Sequence, residues 1–526
     1  MNKRYAIALI AVCLAALPAA MAQSSSCNAV TPANTAFNAA LIGSNIAGSP
    51  TGFANVNFSL NGMQATVNAN SLGLGNITGI TLFQGTPGSI NAIPIQNFST
   101  PSNGFNNGQF TGTLTLDQNT INQIQANPGN FFFVVSTSQF PNGAVAGALV
   151  PSRPQLFAGR VTNAGLPNGA NNGTGTFLFS IGPGNGTGNV PLNFDIMTFG
   201  LGNGFNSLQL TSPGLIGPIV IAGSNTTADN GRLLGSTMIG AALAQQLLAN
   251  PCSFTLTLST PTFPSGAVAG TLAAANEVFL PVVGSAKGAN GTNFMTDVSV
   301  FNNSAVGISD QSASANVFVQ FYPTGASNTT STVNAQTVTA LNIAPRATTT
   351  LRDVTSSLFN GGISGIGALR LISTGNLFAN ARIYDNQIAN GRGTSGQFEL
   401  GEFRSQALHQ GVLVGVGSVS SGSNLANGQT FRTNVGFFNP NDTATTVALE
   451  LRDSGGNIMA TRLITLGPWA QTQMPIAGVN GVFTGITADF ATSSIYFLSG
   501  SPIFAYASII DNISGDASFA TPSAQP

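Results

Sequence analysis

The sequence predicts an all-β chain of tandem sandwich- or barrel-like modules, with one short helix in each of two N-terminal modules. Three observations predict it. Residues 126–150 (ANPGNFFFVVSTSQFPNGAVAGALV) return at 249–273 (ANPCSFTLTLSTPTFPSGAVAGTLA) with 14 of 25 positions identical, the mark of a domain-sized duplication. Apolar residues alternate in short runs such as Phe53–Leu60 (FANVNFSL), where Val56, Phe58 and Leu60 share a face. Clusters of Asn, Gly and Pro interrupt the chain about every eight to twelve residues, the spacing of sandwich or barrel strands.

The chain opens on an expected secretory signal, residues 1–22. Lys3 and Arg4 give a positive start, Ala6 to Leu17 is apolar, and Ala20-Met21-Ala22 is an A-x-A cleavage site before Gln23. That run is too short to span a bilayer, and no later stretch is long and apolar enough, so the mature chain is expected outside the cell or at its surface, with the periplasm as an option. Ser24-Ser25-Ser26-Cys27 lacks the Leu of a lipobox. An exported context permits a disulfide between Cys27 and Cys252, the two cysteines left once Cys13 departs with the signal.

Charged residues are only 6% of the chain, against about 25% in ordinary globular proteins, and 63 glycines with many Asn, Thr and Ser take their place. A hydrophobic content of 43% still allows real cores. A net charge of −1 removes the electrostatic case for nucleic acid or an anionic membrane. Between residues 23 and 275 stand three basic residues (Arg153, Arg160, Arg232) and three acidic ones (Asp117, Asp195, Asp229), whereas the rest carries 10 and 13. This shift sets the main boundary near Ala274–Asn276. The expected division is an N-terminal segment 23–35, repeated modules 36–151 and 153–274, and two sandwiches, 276–403 and 404–526.

In the repeated modules, Phe177–Ile181 fills the place of the Phe53–Leu60 strand. Helices are expected at about Asp117–Ala126, with Ile121 and Ile124 on one face, and at about Ile239–Ala249. Asn-Pro stops each, because the residue before proline avoids the α region. A short opening strand (Leu41-Ile42-Gly43; Phe157-Ala158-Gly159), a Gly-rich middle (Gly79 to Gly88), a Gly-Thr-Leu-Thr stretch (Gly112–Thr115) and the closing Phe-Pro-x-Gly (Phe140–Gly143; Phe263–Gly266) follow. On these motifs each module resembles the chordin-type (CHRD) domain. The resemblance implies a His-x-His in the middle strand, a further His near the closing strands and an acidic residue after Phe-Pro-x-Gly. Here Thr81, Phe83 and Ser136 take the histidine places, and Ala144 and Ala267 the acidic one. The copies keep the expected fold and lose the polar site.

The C-terminal half holds a weaker duplication. Phe294–Asn303 matches Phe431–Pro440, Val317–Phe321 matches Val447–Leu451, Ile343-Ala344-Pro345 matches Leu466-Gly467-Pro468, and Ala379–Asn386 matches Ala505–Asn512. Each unit reads as about seven short strands of an immunoglobulin-type sandwich. The half resembles a functionally uncharacterised tandem sandwich of exported bacterial proteins, which implies a surface or matrix setting.

The residues give little support to catalysis. A Ser-His-Asp triad needs His409, the only histidine, which reads as a linker or domain-interface residue. Zinc needs clustered His and Cys, and calcium grouped carboxylates. Asp442, Asp453, Glu399 and Glu402 read as solvated turn residues. Carboxylates for glycoside hydrolysis would come from Asp353, Asp385, Glu399 or Glu402, but Asp353 beside Arg352 and Asp385 near Arg382 read as local ion pairs. Gly200-x-Gly202-x-Gly204 lacks the strand–helix setting of a phosphate cradle. One tryptophan, Trp469, and five tyrosines make no aromatic sugar platform; Phe131-Phe132-Phe133 reads as a buried strand.

No catalytic, cofactor or metal residue is therefore assigned. The expected function is that of an exported, non-enzymatic structural or adhesive envelope or matrix protein, acting by self-association through strand edges. The alternative is a soluble periplasmic or extracellular binding protein for a polysaccharide or protein ligand. If the repeats carry an interaction site, the closing strands Phe140–Gly147 and Phe263–Gly270 are its candidates, although packing also explains their repetition.

Overall fold

The computed structural model describes residues 36–524, apart from 47, 49–51, 90–91, 99–107, 152–154, 167–168, 170–172, 183–188, 203, 214, 216, 223–225, 229–230, 289–290, 304–314, 326–337, 359–364, 389–390, 392 and 421–429. The chain is all-β, in tandem antiparallel modules with a helix in each N-terminal one. The expected signal, the N-terminal segment and Cys27 lie outside the described residues.

Module 1 contains β1 (Ala36–Ile42), β2 (Phe53–Asn61), β3 (Gln64–Leu72), β4 (Ile77–Gln84), β5 (Ile93–Asn97), β6 (Gln109–Thr115), α1 (Gln118–Ala126), β7 (Phe131–Thr137), β8 (Val145–Ala148) and β9 (Val150–Pro151). The strands lie in the order β5-β4-β7-β8-β1-β2-β3-β6, with β9 beside β1. Inner side chains of strands as distant in that order as β4 and β3, among them Leu82 and Val67, share one core, so the sheet curls around it. Period-2 alternation makes this possible: Val56, Phe58 and Leu60 point in, as do Phe131 and Phe133, while Phe132 faces outward and stacks on Phe83. The Asp117 carboxylate caps α1 by accepting from Thr120 N–H at 2.9 Å, and Ile121 and Ile124 close the core from that end.

Module 2 repeats this with β10 (Gln155–Thr162), β11 (Thr174–Ile181), β12 (Asn189–Phe199), β13 (Gly204–Phe205), β14 (Ser207–Thr211), β15 (Ile219–Ala222), β16 (Thr226–Thr227), β17 (Arg232–Gly240), α2 (Ala241–Ala249), β18 (Thr255–Ser259), β19 (Val268–Thr271) and β20 (Ala273–Ala274). The order β15-β14-β18-β19-β10-β11-β12-β17 matches module 1 strand for strand, and the short pair β13–β16 is added. Helix α2 starts later than the sequence suggests: Ile239 stays in β17, where it pairs with Val190 and enters the core, and Gly240 takes the N-cap. Gly200 and Gly202 adopt positive φ in the turn between β12 and β13, with no helix behind them.

Module 3 comprises β21 (Asn276–Lys287), β22 (Asn293–Asn302), β23 (Ala315–Pro323), β24 (Val338–Ile343), β25 (Thr348–Leu351), α3 (Val354–Ser357), β26 (Gly365–Ser373), β27 (Leu377–Asn386), β28 (Thr394–Leu400) and β29 (Glu402–Phe403). Module 4 comprises β30 (Leu408–Ser418), β31 (Phe431–Phe438), β32 (Thr445–Arg452), β33 (Ile458–Leu466), β34 (Gln471–Pro475), β35 (Phe490–Asp511), β36 (Ala517–Ala520) and β37 (Ser523–Ala524). In module 3 one layer runs β24-β23-β26-β21-β29 and the other has β25 and β27 flanking β22, with β28 beyond β27. Module 4 reproduces both layers as β33-β32-β35-β30-β37 and β34-β31-β35-β36. Among the described residues the strands number nine and eight, against about seven expected. Two-residue strands (β29, β37) add to the edges, and the 22-residue β35 passes through both layers where module 3 uses β26 and β27.

Candidate functional site

The polar chemistry of this charge-poor chain converges where modules 2, 3 and 4 meet. Strand β12 supplies Asp195 and the neighbouring β17 supplies Arg232, whose Nε and Nη2 donate to the two carboxylate oxygens at 2.7 and 2.5 Å. From β23, Gln320 Nε2 donates to the same carboxylate at 3.0 Å, tying module 3 to module 2. Gln320 Oε1 accepts from Tyr322 OH at 2.6 Å and from Arg370 Nη1 at 3.0 Å. Arg370, on β26, also pairs with Glu277 on β21 (2.6 Å), and Arg404 reaches the same carboxylate while donating from Nη1 to Pro440 O of module 4 at 2.6 Å. Trp469 closes the cluster: its ring stacks on Tyr322 at 5.4 Å and 13°, and the Arg370 guanidinium lies 4.1 Å from its centroid.

Burial alone would push Glu277 toward its neutral form, but Arg370 and Arg404 outweigh it and hold the carboxyl below its usual range. Desolvation raises Tyr322, which stays a phenol and donates. An apolar ring of Phe279, Phe438 and Phe504 surrounds these groups, together with Leu156, Leu178 and Met197 of module 2. The cluster is a clamp: three modules each contribute a group whose partner lies in another. A cleft at its edge, lined by Asp195, Asn193, Ser180 and Asp442, has a volume of about 30 Å³, room for about two waters.

A second junction joins modules 1 and 4. Phe53, the outward residue of β2, packs on Ala448 and Leu498, and Asn55 Nδ2 donates to Ser499 O at 3.0 Å. His409 sits in this interface, with Nδ1 3.2 Å from Ser499 O and Nε2 3.1 Å from the Asn38 amide. A neutral ring that donates from Nδ1 to Ser499 O leaves Nε2 as an acceptor facing Asn38 Oδ1, so the Asn38 amide must turn over to present its otherwise unpartnered Nδ2 as the donor. Burial pushes the imidazole down to about 4.

This depression sets a pH dependence. The unfolded chain takes up a proton near pH 6.5 and the folded chain only near 4, so stability falls as pH drops through that window. The shift corresponds to about 3 kcal/mol. Glu402, which burial raises to about 7, contributes a slope of the opposite sign. The readout is therefore a difference: the stability gap between wild type and His409→Asn should narrow by about 3 kcal/mol between pH 7 and pH 4 in urea titrations. A gap independent of pH would contradict a buried neutral imidazole.

The remaining candidates separate. The closing strands β8 and β19 are interior to their sheets, flanked on both sides, with Ala144, Val145, Ala267 and Val268 fully buried, so neither offers a docking edge. Thr81, Phe83 and Ser136 lie together on the outer face of β4 and β7, where Phe83 and Phe132 stack instead of presenting imidazoles. Cys252 is disulfide-bonded, in the turn Pro251–Ser253.

Glu399 is a strand residue and not a solvated turn. It is 1% exposed, accepts from Val282 N–H, and burial raises its carboxyl well above the usual range. Glu402 is half-buried. Asp442 is also partly enclosed and raised by burial, whereas Asp453 does cap an exposed turn through Gly455 and Asn457. The local ion pairs do not form: Arg352 pairs with Asp297, Asp385 accepts from Asn293 N–H and Gln387, and Arg382 lies over Tyr384. The reason is strand geometry, since Arg382 and Asp385, three apart in β27, project to opposite faces. Asp353, Asp385, Glu399 and Glu402 do not line the junction cleft.

Sequence reasoning missed the clamp, although a signal existed. Asp195, Glu277 and Arg370 are lone charges inside apolar strands (LNFDIMTF, NEVFLPVV, GALRLIS), and a lone charge in a buried strand demands a buried partner. No helix is long and apolar enough to cross a membrane, and no group of three or more His, Cys, Asp or Glu side chains is placed to hold a metal, both among the described residues. A scan against protein-family models finds no match to the chain, and a search of curated proteins finds none either.

Proposed function

We propose that this chain is an exported, non-enzymatic structural or adhesive protein of a bacterial cell envelope or matrix, built from two CHRD-like and two immunoglobulin-like modules. The carrying observation is where its few charges go. Asp195, Arg232, Glu277, Arg370 and Arg404 are spent on one another inside the junction, where they lock modules together instead of facing a substrate. The outer sheet face of module 3, by contrast, presents Phe378, Phe398 and Leu400, with Phe403 beside them, an apolar surface of the kind that marks an interaction site. A surface poor in charge weakens repulsion between copies, which suits packing outside the cell. Leader, composition and modular build support the same reading.

Fractionation of the native host tests it. The expected result is retention in the envelope or matrix fraction as a high-mass species. Recovery as a free monomer in the medium or periplasm would remove the proposal and favour the soluble binding protein.

A further inference from the structure

We propose that the chain assembles head to tail, the exposed face of module 3 in one copy docking on module 4 of the next; this rests on the structural reading above and names its partner as a second copy. The template is internal. Modules 3 and 4 correspond residue by residue: Asn302 and Asn439 are both buried, their N–H groups donate to Ala347 O and Ala470 O, and the adjacent Arg346 and Trp469 share a positive φ of 59° and 51°. Register pairs Phe301 with Phe378 and Phe438 with Phe504. Phe301, Phe378 and Arg346 therefore hold the places of Phe438, Phe504 and Trp469.

In module 4 those three residues are the docking surface. Phe438 and Phe504 lie 5.9 and 5.1 Å from Phe279 of module 3, Trp469 stacks on Tyr322, and all three are at most 2% exposed. Among the described residues, no other module covers the same surface in module 3. Phe378 is 49% exposed, Arg346 is exposed, and Leu400 (75%) and Phe403 (37%) extend the patch.

The receiving surface also exists twice. The row Phe279–Arg370–Gln320 of module 3 corresponds in register to Val412–Tyr496–Glu450 of module 4. Module 1 leaves Tyr496 half-buried, and the next outward residue on β30, Val414, is 62% exposed. The chemistry is complementary with roles exchanged. Inside the chain the cation Arg370 covers the ring of Trp469. Between copies the cation Arg346 would cover the ring of Tyr496; the Glu450 carboxylate in the same row is already paired with Arg452, so the ring and not the carboxylate receives the cation. Such a contact joins unlike surfaces, so each added copy leaves one of each free and growth continues.

Sedimentation velocity on the full mature chain tests this, with Phe378→Arg to disable the module 3 face and Val414→Arg to disable the module 4 face; both positions are exposed, and unchanged thermal unfolding checks their folds. Should either variant misfold, Arg346→Glu replaces the first and Val414→Ser the second. The wild type should grow in mass with concentration. Each variant alone should remain monomeric, with contact affinity reduced by about tenfold or more. An equimolar mixture of the two should form a species that stops at two chains, because one intact face of each kind remains. A wild type that stays monomeric, a wild type that stops at a dimer, variants that assemble like wild type, or a mixture that stays monomeric would each overturn the proposal. A monomeric wild type that still fractionates with the envelope sinks this inference alone, whereas a monomer absent from the envelope removes the structural reading too.

Discussion

Replacing Glu277 with leucine should cost about 3–5 kcal/mol and divide a single unfolding transition into two or more. Arg370 and Arg404 both pair with Glu277, and the side chains of all three are at most 11% exposed. Removing Glu277 leaves two desolvated guanidiniums without the carboxylate that both bond, with Asp442 acting on them only through its field, the costly way to break a buried pair. The damage falls between modules, because Glu277 of module 3 bonds Arg404 at the start of module 4, and Arg370 of module 3 covers Trp469 of module 4. Calorimetry should show a separate early transition as the modules uncouple. An unchanged thermogram would mean that the apolar ring around Phe279 and Phe438 holds the junction without the charges. The companion Glu277→Gln keeps the shape and separates loss of charge from loss of packing.

Gly147→Ala and Gly270→Ala should each destabilise by about 3 kcal/mol, the upper end of overpacking penalties. These are the last glycines of the repeated Phe-Pro-x-Gly-Ala-Val-Ala-Gly motif. A Cβ on Gly147 would lie 1.9 Å from Ala40 O, and one on Gly270 would lie 1.9 Å from Arg160 O. Both are backbone atoms of the opening strand, which cannot rotate away. The first glycine of each motif, Gly143 or Gly266, has φ near +130° and permits the turn into β8 or β19. Gly129→Ala is the control, since nothing lies within 4 Å of its added Cβ and its change should stay within about 0.5 kcal/mol. Denaturant midpoints at constant m-value would measure all three. Equal tolerance of alanine at Gly147 and Gly129 would show that the motif repeats for a reason other than packing.

The two glycines also explain why this motif was the most visible feature of the sequence. Its identity is a packing constraint, copied because both modules place the closing strand against the opening one. That same fact misdirects a search for a binding site, since a strand flanked on both sides exposes no edge. The opposite held for the clamp. Asp195, Gln320 and Arg370 are scattered over strands 50 to 125 residues apart, and no short window shows that they meet. Glu399 reads as a solvated turn carboxylate in sequence, yet its strand lies against module 4, where Gln397 Oε1 accepts from Ser508 at 3.2 Å.

The sequence by itself determined what local rules control. Period-2 alternation set the strands and their inner faces, Asn-Pro ended the helices, and the two duplications announced paired modules. Tertiary structure alone decided how the modules meet: which outward residues became interfaces, which lone charges found partners, and which copy of a duplicated surface was used. The physical reason is range. Strand period and turn chemistry act over a few residues and are written in order along the chain. The pairing of desolvated charges and outward aromatic faces depends on distances that exist only once the modules have docked.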